Sequence, residues 1–327
     1  MAAASTRVVD PSRAANLAAR LWRYSGSSGG AVVALIALVV LNALFTPNFA
    51  SSGTCWNILL QVSIVVPVAI GMTLVIATGG IDLSVGSVMA VAAAVAATQL
   101  HRGVIVACGA GVLAALAIGL LNGLLIARER LQPIVVTLAT LIASRGFAQL
   151  LSHGGQLIPI NDTAFQWLGR GRIGAVPVPL VLAFSAVVVA AVALRRTPFG
   201  HRVQAVGGNV AAARLAGVPV QRTLLMSYAL CGLLAGIAGL VEAARLAASD
   251  AATIGLHIEL DAIAATVVGG TALNGGRATV AGTVVGALVM QVIATSFNML
   301  LIPYSWSLVL KAAIILVAVF LQRPGRV

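Results

Sequence analysis

Charge is what this 327-residue chain lacks: Asp, Glu, Lys and Arg make up 9% of it, against 60% hydrophobic residues. A soluble domain carries about 25% charged residues, which excludes a water-soluble globular protein. The shortage runs along the whole chain, which also excludes a single anchor on a soluble body. Lysine is nearly absent, since Lys311 is the one lysine among twenty basic residues. Acids number eight, leaving a net charge of +12. The arginines sit at the ends of apolar runs rather than in one patch interleaved with aromatics. The excess therefore reads as a topology signal and argues against a nucleic-acid partner.

Catalytic and metal-binding patterns are missing too. Cys55, Cys108 and Cys231 are odd in number and widely spaced, with no disulfide framework, and read as small apolar side chains. His101, His153, His201 and His257 share no metal-ligand spacing, so no metal site is expected. Lys311 follows "SLVL" with no glycine loop before it, so the chain has no phosphate cradle and binds no nucleotide cofactor itself. No Ser/His/Asp constellation is visible. The expectation is a non-enzyme.

Long apolar runs are what the sequence does contain. A spanning helix needs about 20 apolar residues, and ten candidates can be drawn, at roughly 30–48, 57–78, 84–100, 103–126, 134–152, 177–194, 223–243, 257–270, 279–299 and 304–321. The expected fold is an all-α polytopic membrane protein of about ten transmembrane helices, some broken or short. Four arginines precede the first run, which reads as an uncleaved first helix. Placing the N-terminus inside puts thirteen arginines on the inner side, against Arg102, Arg170, Arg172 and Arg245 on the outer. That bias makes both termini cytoplasmic. The division is then a tail at 1–29, a transmembrane domain at 30–321 and a tail at 322–327. An external segment covers 153–176, where Phe165 and Trp167 suggest a re-entrant or surface-lying stretch. A cytoplasmic segment covers 195–222. Within the latter, Asn209 can cap a helix of about two turns, Gly217 can end it and Pro219 bars its continuation.

Two glycine-rich breaks interrupt apolar sequence. "ATGGIDLSVGS", Ala77–Ser87, places Asp82 and Ser84 at the junction of the second and third runs, where Gly79, Gly80 and Gly86 supply the flexibility to unwind the helix. A central carboxylate costs about 2.5–3.5 kcal/mol on insertion scales. Asp82 thus either caps the following helix, as Ser84 also could, or lines a pathway, and the two are compatible. "VVGGTALNGGRATVAG" breaks the chain again at Gly269, Gly270, Gly275 and Gly276, about 190 residues later. Facing broken helices from two repeats are a recurrent transporter design. Other polar groups in apolar runs are Asn122, Thr137, Thr140, Glu259, Asp261 and Lys311. Asn122 can hydrogen-bond another helix. Glu259 and Asp261 suit a helix start. Lys311 can snorkel outward or pair with one of the acids. Gly119-x-x-x-Gly123, Gly232-x-x-x-Gly236 and Gly282-x-x-x-Gly286 let helices approach closely.

Four ordered blocks, "GMTLVIATGGIDLSVGSVMA", "GLLNGLLIARERLQPIVVTLATLIASRG", "AVGGNVAAARLAGVPVQR" and "ELDAIAATVVGGTALNGGRATVAGTVVGAL", resemble the permease subunits of bacterial ribose-type sugar ABC importers. The phrasing of the first and last looks closest to the galactofuranose permease. The resemblance covers about residues 31–321. It implies an ABC importer permease in the bacterial inner membrane that pairs with itself or a sister permease. It further implies cytoplasmic ATPase subunits that carry the ATP and magnesium, and a periplasmic sugar-binding protein. Asn209, Ala213, Arg214, Leu215 and Gly217 then match the coupling helix that docks on the ATPase. Two alternatives remain at this stage. One is an ABC permease for a nucleoside, autoinducer or branched-chain amino acid. The other is an ion-coupled secondary transporter using Asp82, Glu259, Asp261 and Lys311.

Overall fold

Each apolar run becomes a helix in the computed structural model, which describes residues 29–321; the tails expected at 1–29 and 322–327 lie outside the described residues apart from Gly29. The helices are α1 (Gly29–Phe45), α2 (Ser52–Ala77), α3 (Val85–Gln99), α4 (Val104–Ala127), α5 (Pro133–Leu151), α6 (Thr163–Arg170), α7 (Val178–Arg196), α8 (Pro198–Gly208), α9 (Val210–Leu215), α10 (Val220–Leu246), α11 (Ile258–Val268), α12 (Val280–Met299) and α13 (Tyr304–Leu321). Six of them, α2, α4, α5, α7, α10 and α12, are long and apolar enough to cross a membrane, and α1 and α13 contain shorter apolar stretches. At 1.5 Å per residue, the 15 residues of α3 and the 11 of α11 span about 22 and 16 Å, less than the roughly 30 Å hydrocarbon core.

Burial separates a centre from a periphery. In α2, α10 and α12, 78%, 61% and 67% of the most apolar 18-residue stretch is buried, against 22–28% in α4, α5 and α7. The peripheral helices turn Leu113, Ile142 and Val189 outward, as a lipid-facing surface requires. The short α3 is enclosed instead: Val85 to Ala94 are all buried. Backbone that ends at depth is tolerated only inside protein or beside a cavity, and α3 meets that condition.

Small residues and hydroxyls hold the centre together, because apolar surface drives little association between helices in lipid. Gly119 of α4 packs on Gly232 and the Tyr228 carbonyl of α10, and Gly123 packs on Leu225. A hydroxyl seam fastens α11 and α12 to α2. The Thr73 and Thr283 hydroxyls lie 2.7 Å apart, Thr266 donates to the Ala69 carbonyl at 3.1 Å, and Gln291 bonds Gln61.

Two connecting segments carry structure. In 153–176 the Asp162 carboxylate caps α6 by accepting the Phe165 amide at 2.9 Å, and Phe165 is fully buried beneath it. This segment lies on the surface. It is tied down by β1 (Ile158–Pro159) pairing antiparallel with β4 (Ala248–Ser249), beside a β2 (Arg172–Ile173) and β3 (Val176–Pro177) hairpin. The second segment, 195–222, corrects the expectation of one short helix. It holds two, because Thr197 caps an additional helix, α8, by accepting the Phe199 amide. Pro198 then starts that helix at the position where its missing N–H costs nothing. Val203 buries α8 against the bundle core, and Val206 packs with Ala213 and Val220.

Candidate functional site

Both glycine breaks begin with the same backbone turn. In the first, the Gly79 amide donates to Ile76 O at 2.9 Å and the Gly80 amide to Val75 O at 3.2 Å. In the second, Gly270 donates to Val267 O at 2.9 Å and Thr271 to Thr266 O at 3.1 Å. This is the paired closure of a helix end that needs a left-handed residue, and Gly79 and Gly270 have φ of +86° and +90°. The internal echo in the sequence is thus a shared local structure. The two breaks touch: the Gly276 amide donates to the Ala77 carbonyl at 2.9 Å.

Gly80 and Gly86 serve space rather than conformational freedom, which corrects the expectation from sequence. A Cβ at Gly80 would overlap the Tyr228 hydroxyl, and one at Gly86 would overlap the Gly255 carbonyl. Among the described residues the Tyr228 hydroxyl has no hydrogen-bond partner, and the side chain is fully buried.

The first break leads into a directional polar chain. Thr140 of α5 donates to Asn122 Oδ1 at 2.6 Å, Asn122 donates to the Ser84 hydroxyl at 3.0 Å, and Ser84 donates to Asp82 Oδ1 at 2.6 Å. The Ser84 amide also reaches that oxygen, at 2.9 Å. Asp82 is therefore the terminal acceptor, 1% exposed, with the Cys231 thiol of α10 against it. Neither Asp82 nor Ser84 caps the first turn of α3 with its side chain, so the capping reading is corrected to a tight turn plus a tether across three helices. Thr137 donates to Pro133 O within its own helix at 2.9 Å and to Ile81 O at 3.3 Å. Thr140 is half-buried and, with Ser144, supplies the hydroxyls of a cavity of about 530 Å³ between α3, α4 and α5.

The second break is stapled by hydroxyls. Thr279 donates to Gly269 O at 2.9 Å, and its amide donates to the Thr271 hydroxyl at 3.1 Å. Gly269 packs on Gly282 backbone, closing α11 on α12.

Where the first break passes into α3, beside Gly86, sits a charged cradle. Arg145 of α5 donates to the Ala251 and Ile254 carbonyls, both at 2.8 Å. Glu242 of α10 accepts the Gly255 amide at 3.3 Å. A Cβ at Gly86 would lie 2.9 Å from Glu259 Oε2, so Glu259 closes the same spot. In the loop itself, hydrogen bonds from the Thr253 hydroxyl and the Ala252 amide hold the Asp250 carboxyl below its ordinary range. Asp261, in the first turn of α11, pairs with Lys311 of α13 at 2.6 Å, which decides between snorkelling and pairing. Sequence reasoning passed over Glu242, although an acid inside a 27-residue apolar helix is the same signal that singled out Asp82.

In α9 the Asn209 side chain accepts the Ala212 amide at 3.0 Å, and Gly217 has φ of +75°. Leu215 is 91% exposed at the tip, whereas Ala213 is buried against Val206 and Val220. Ala213 therefore packs the segment and Leu215 presents it. Arg130, Arg214 and Arg222 ring an adjoining cavity of about 340 Å³.

Broken helices meeting inside a lipid-facing bundle are the build of a membrane permease. A family model described as "Branched-chain amino acid transport system / permease component" matches residues 54–319, and the chain belongs to that family. It is 38% identical over 296 residues to the ribose import permease protein RbsC of Escherichia coli (strain K12), covering 89% of this chain and 92% of that protein. It is 39% identical over 305 residues to the galactofuranose transporter permease protein YtfT of the same strain, covering 89% and 88%. To the L-arabinose ABC transporter permease protein AraH of Azospirillum brasilense it is 36% identical over 308 residues, covering 94% and 90%. No solved structure matches the chain.

Proposed function

We propose that this chain is the membrane-spanning subunit of an ATP-driven importer that carries a monosaccharide across the bacterial inner membrane. The relatives named for ribose, galactofuranose and arabinose support a sugar as cargo. The observation that carries the mechanism is the meeting of two broken helices beside a short exposed helix whose tip is Leu215. In this reading all ten helical runs outside α6, α8 and α9 lie in the bilayer, α3 and α11 as partial crossings, with both termini cytoplasmic. Helix α9 docks on an ATPase subunit that carries the nucleotide, and the arginine-ringed cavity next to it receives acidic groups of that partner. The surface-lying α6 faces a periplasmic sugar-binding protein. A second permease copy or a sister permease completes the path. Thr140 and Ser144 are the candidate path-lining hydroxyls. Asp82 acts structurally, supported by its burial and by the two Ser84 hydrogen bonds on one oxygen. Sugar import then proceeds by alternating access, driven from the α9 face.

Reconstitution with the cognate ATPase and binding protein tests this. ATP-dependent uptake is expected from a panel of pentoses and hexoses, and leucine serves as the competing cargo. Uptake of leucine but no sugar would overturn the cargo, and uptake by the permease alone on a proton gradient would overturn the ATP-driven class. Leu215→Asp is expected to abolish uptake and co-purification of the ATPase at unchanged membrane abundance. Ala213 is unsuitable for that test, because burying a carboxylate there would disturb the packing with Val206 and Val220.

A further inference from the structure

The α9 helix is joined to the bundle on one side through Asn209 and the last residues of α8, Gly207 and Gly208, and on the other through 216–219 and the Ala213–Val220 contact with α10. Gly207 sits where both breaks meet. A Cβ there would overlap the Ala77 carbonyl, the last of α2, and the Gly276 amide of the second break. Those two groups are also hydrogen-bonded to each other, at 2.9 Å. From the other side, a Cβ at Gly275 would lie 2.8 Å from the Gly207 carbonyl and 2.9 Å from the Gly79 amide. One at Gly276 would lie 3.1 Å from Gly208 Cα. Backbone of α8, of the first break and of the second break is therefore in direct contact, with no side chain between them. Gly208, the very next residue, has nothing within 4 Å of its Cβ position.

Side chains can change rotamer and absorb a displacement, whereas packed backbone atoms can only move together. We infer that Gly207 is the positioning residue of a rigid joint through which α9 moves both broken helices as one body. The inference rests on the reading of α9 as the ATPase-docking helix and adds to it the route inward. A push at Leu215 passes along α8, which Val203 anchors in the core, into the end of α2 and the Gly275–Gly276 stretch of the second break at once. It reaches the Asp82 turn, since Ile81 and Asp82 follow directly on the Gly79–Gly80 closure.

The adjacent glycines provide the test, with the reconstituted importer assayed for membrane abundance, ATPase co-purification, ATP hydrolysis and sugar uptake. Gly207→Ala wedges the joint apart and is expected to lower uptake at least tenfold while abundance, co-purification and hydrolysis persist. Gly208→Ala changes backbone freedom at the same helix end without a clash and is expected to transport within twofold of the parent. Equal loss in both variants, full uptake by Gly207→Ala, or loss of co-purification in Gly207→Ala would each overturn the joint. The last outcome would place the defect in docking. A cross-link settles the matter if Gly207→Ala does not reach the membrane. Gly208→Cys with Arg277→Cys, both exposed positions, in a Cys55→Ser background, is bridged with a short bismaleimide. A monofunctional maleimide on each single variant serves as control. A rigid joint predicts an intramolecular cross-link that forms equally with and without ATP and leaves uptake intact. Failure to form, dependence on ATP, or a block of uptake relative to the monofunctional control would show that the two surfaces separate or slide.

Discussion

Where α8 meets the two breaks the contact is glycine backbone, whereas around the 250–257 loop the central helices meet chiefly through charge. The first contact has no ionisable side chain at its centre: Gly79, Gly207, Gly275 and Gly276 pack directly. The second combines one glycine pair, Gly86 on Gly255, with Arg145, Glu242, Glu259 and the Asp261–Lys311 pair. A steric joint admits almost no compliance. A charged cradle depends instead on a few strong bonds, each of which a single substitution removes. The two contacts therefore differ in kind, one resting on missing Cβ atoms and the other on charge and hydrogen bonds.

The largest effect is expected at Lys311. Lys311→Met leaves the partly buried Asp261 carboxylate uncompensated and is expected to cost about 3 kcal/mol or slightly more, read as a lowered unfolding midpoint in detergent. Adding Asp261→Asn should restore most of that loss, and a double variant as unstable as the single one would show that the pair is not the source. Next in size is Arg145→Ala. It removes two charge-assisted hydrogen bonds to the 250–257 loop and is expected to cost about 3 kcal/mol, at about 1.5 kcal/mol each. Proteolysis or hydrogen exchange confined to that loop would report its loosening, and a protected loop in the variant would show that Arg145 does not hold it. Asn122→Ala breaks the polar chain between Thr140 and Ser84 and is expected to cost about 1–2 kcal/mol, near the upper end for hydrogen bonds between helices in lipid. Its midpoint should move less than that of Arg145→Ala, and a larger shift would place the weight on the Asp82 turn. Smallest is Gly208→Ala, expected to leave the unfolding midpoint within 0.5 kcal/mol of the parent, as surface substitutions do.

Much of this architecture was legible because its signals are local. Apolar runs gave every long helix, within a few residues at each end. The two glycine pairs marked both helix breaks, and Asn209 with Gly217 marked both ends of α9, because a cap and a left-handed residue act within one turn. Helix α8 was missed. Its start depends on Thr197 and Pro198, and its glycine-rich end reads as loop until the contact it serves is known. Glu242 carries no local signal of its role, because its partner, the Gly255 amide, is supplied by a loop that only packing brings against α10.

The sequence by itself determined that this chain lives in a membrane, which segments are helical, and where the two breaks fall. Composition and short-range chemistry are enough for that. Only the tertiary structure decided what the polar and small residues do. It made Asp82 the acceptor of a chain running from Thr140, gave Lys311 to Asp261, turned Gly80 and Gly86 from flexible points into clearances, and set Gly207 against Ala77 and Gly276. Each of these facts depends on distance between residues far apart in the chain. A hydrogen bond, an ion pair or a missing Cβ acquires its meaning only from the partner that packing brings within reach.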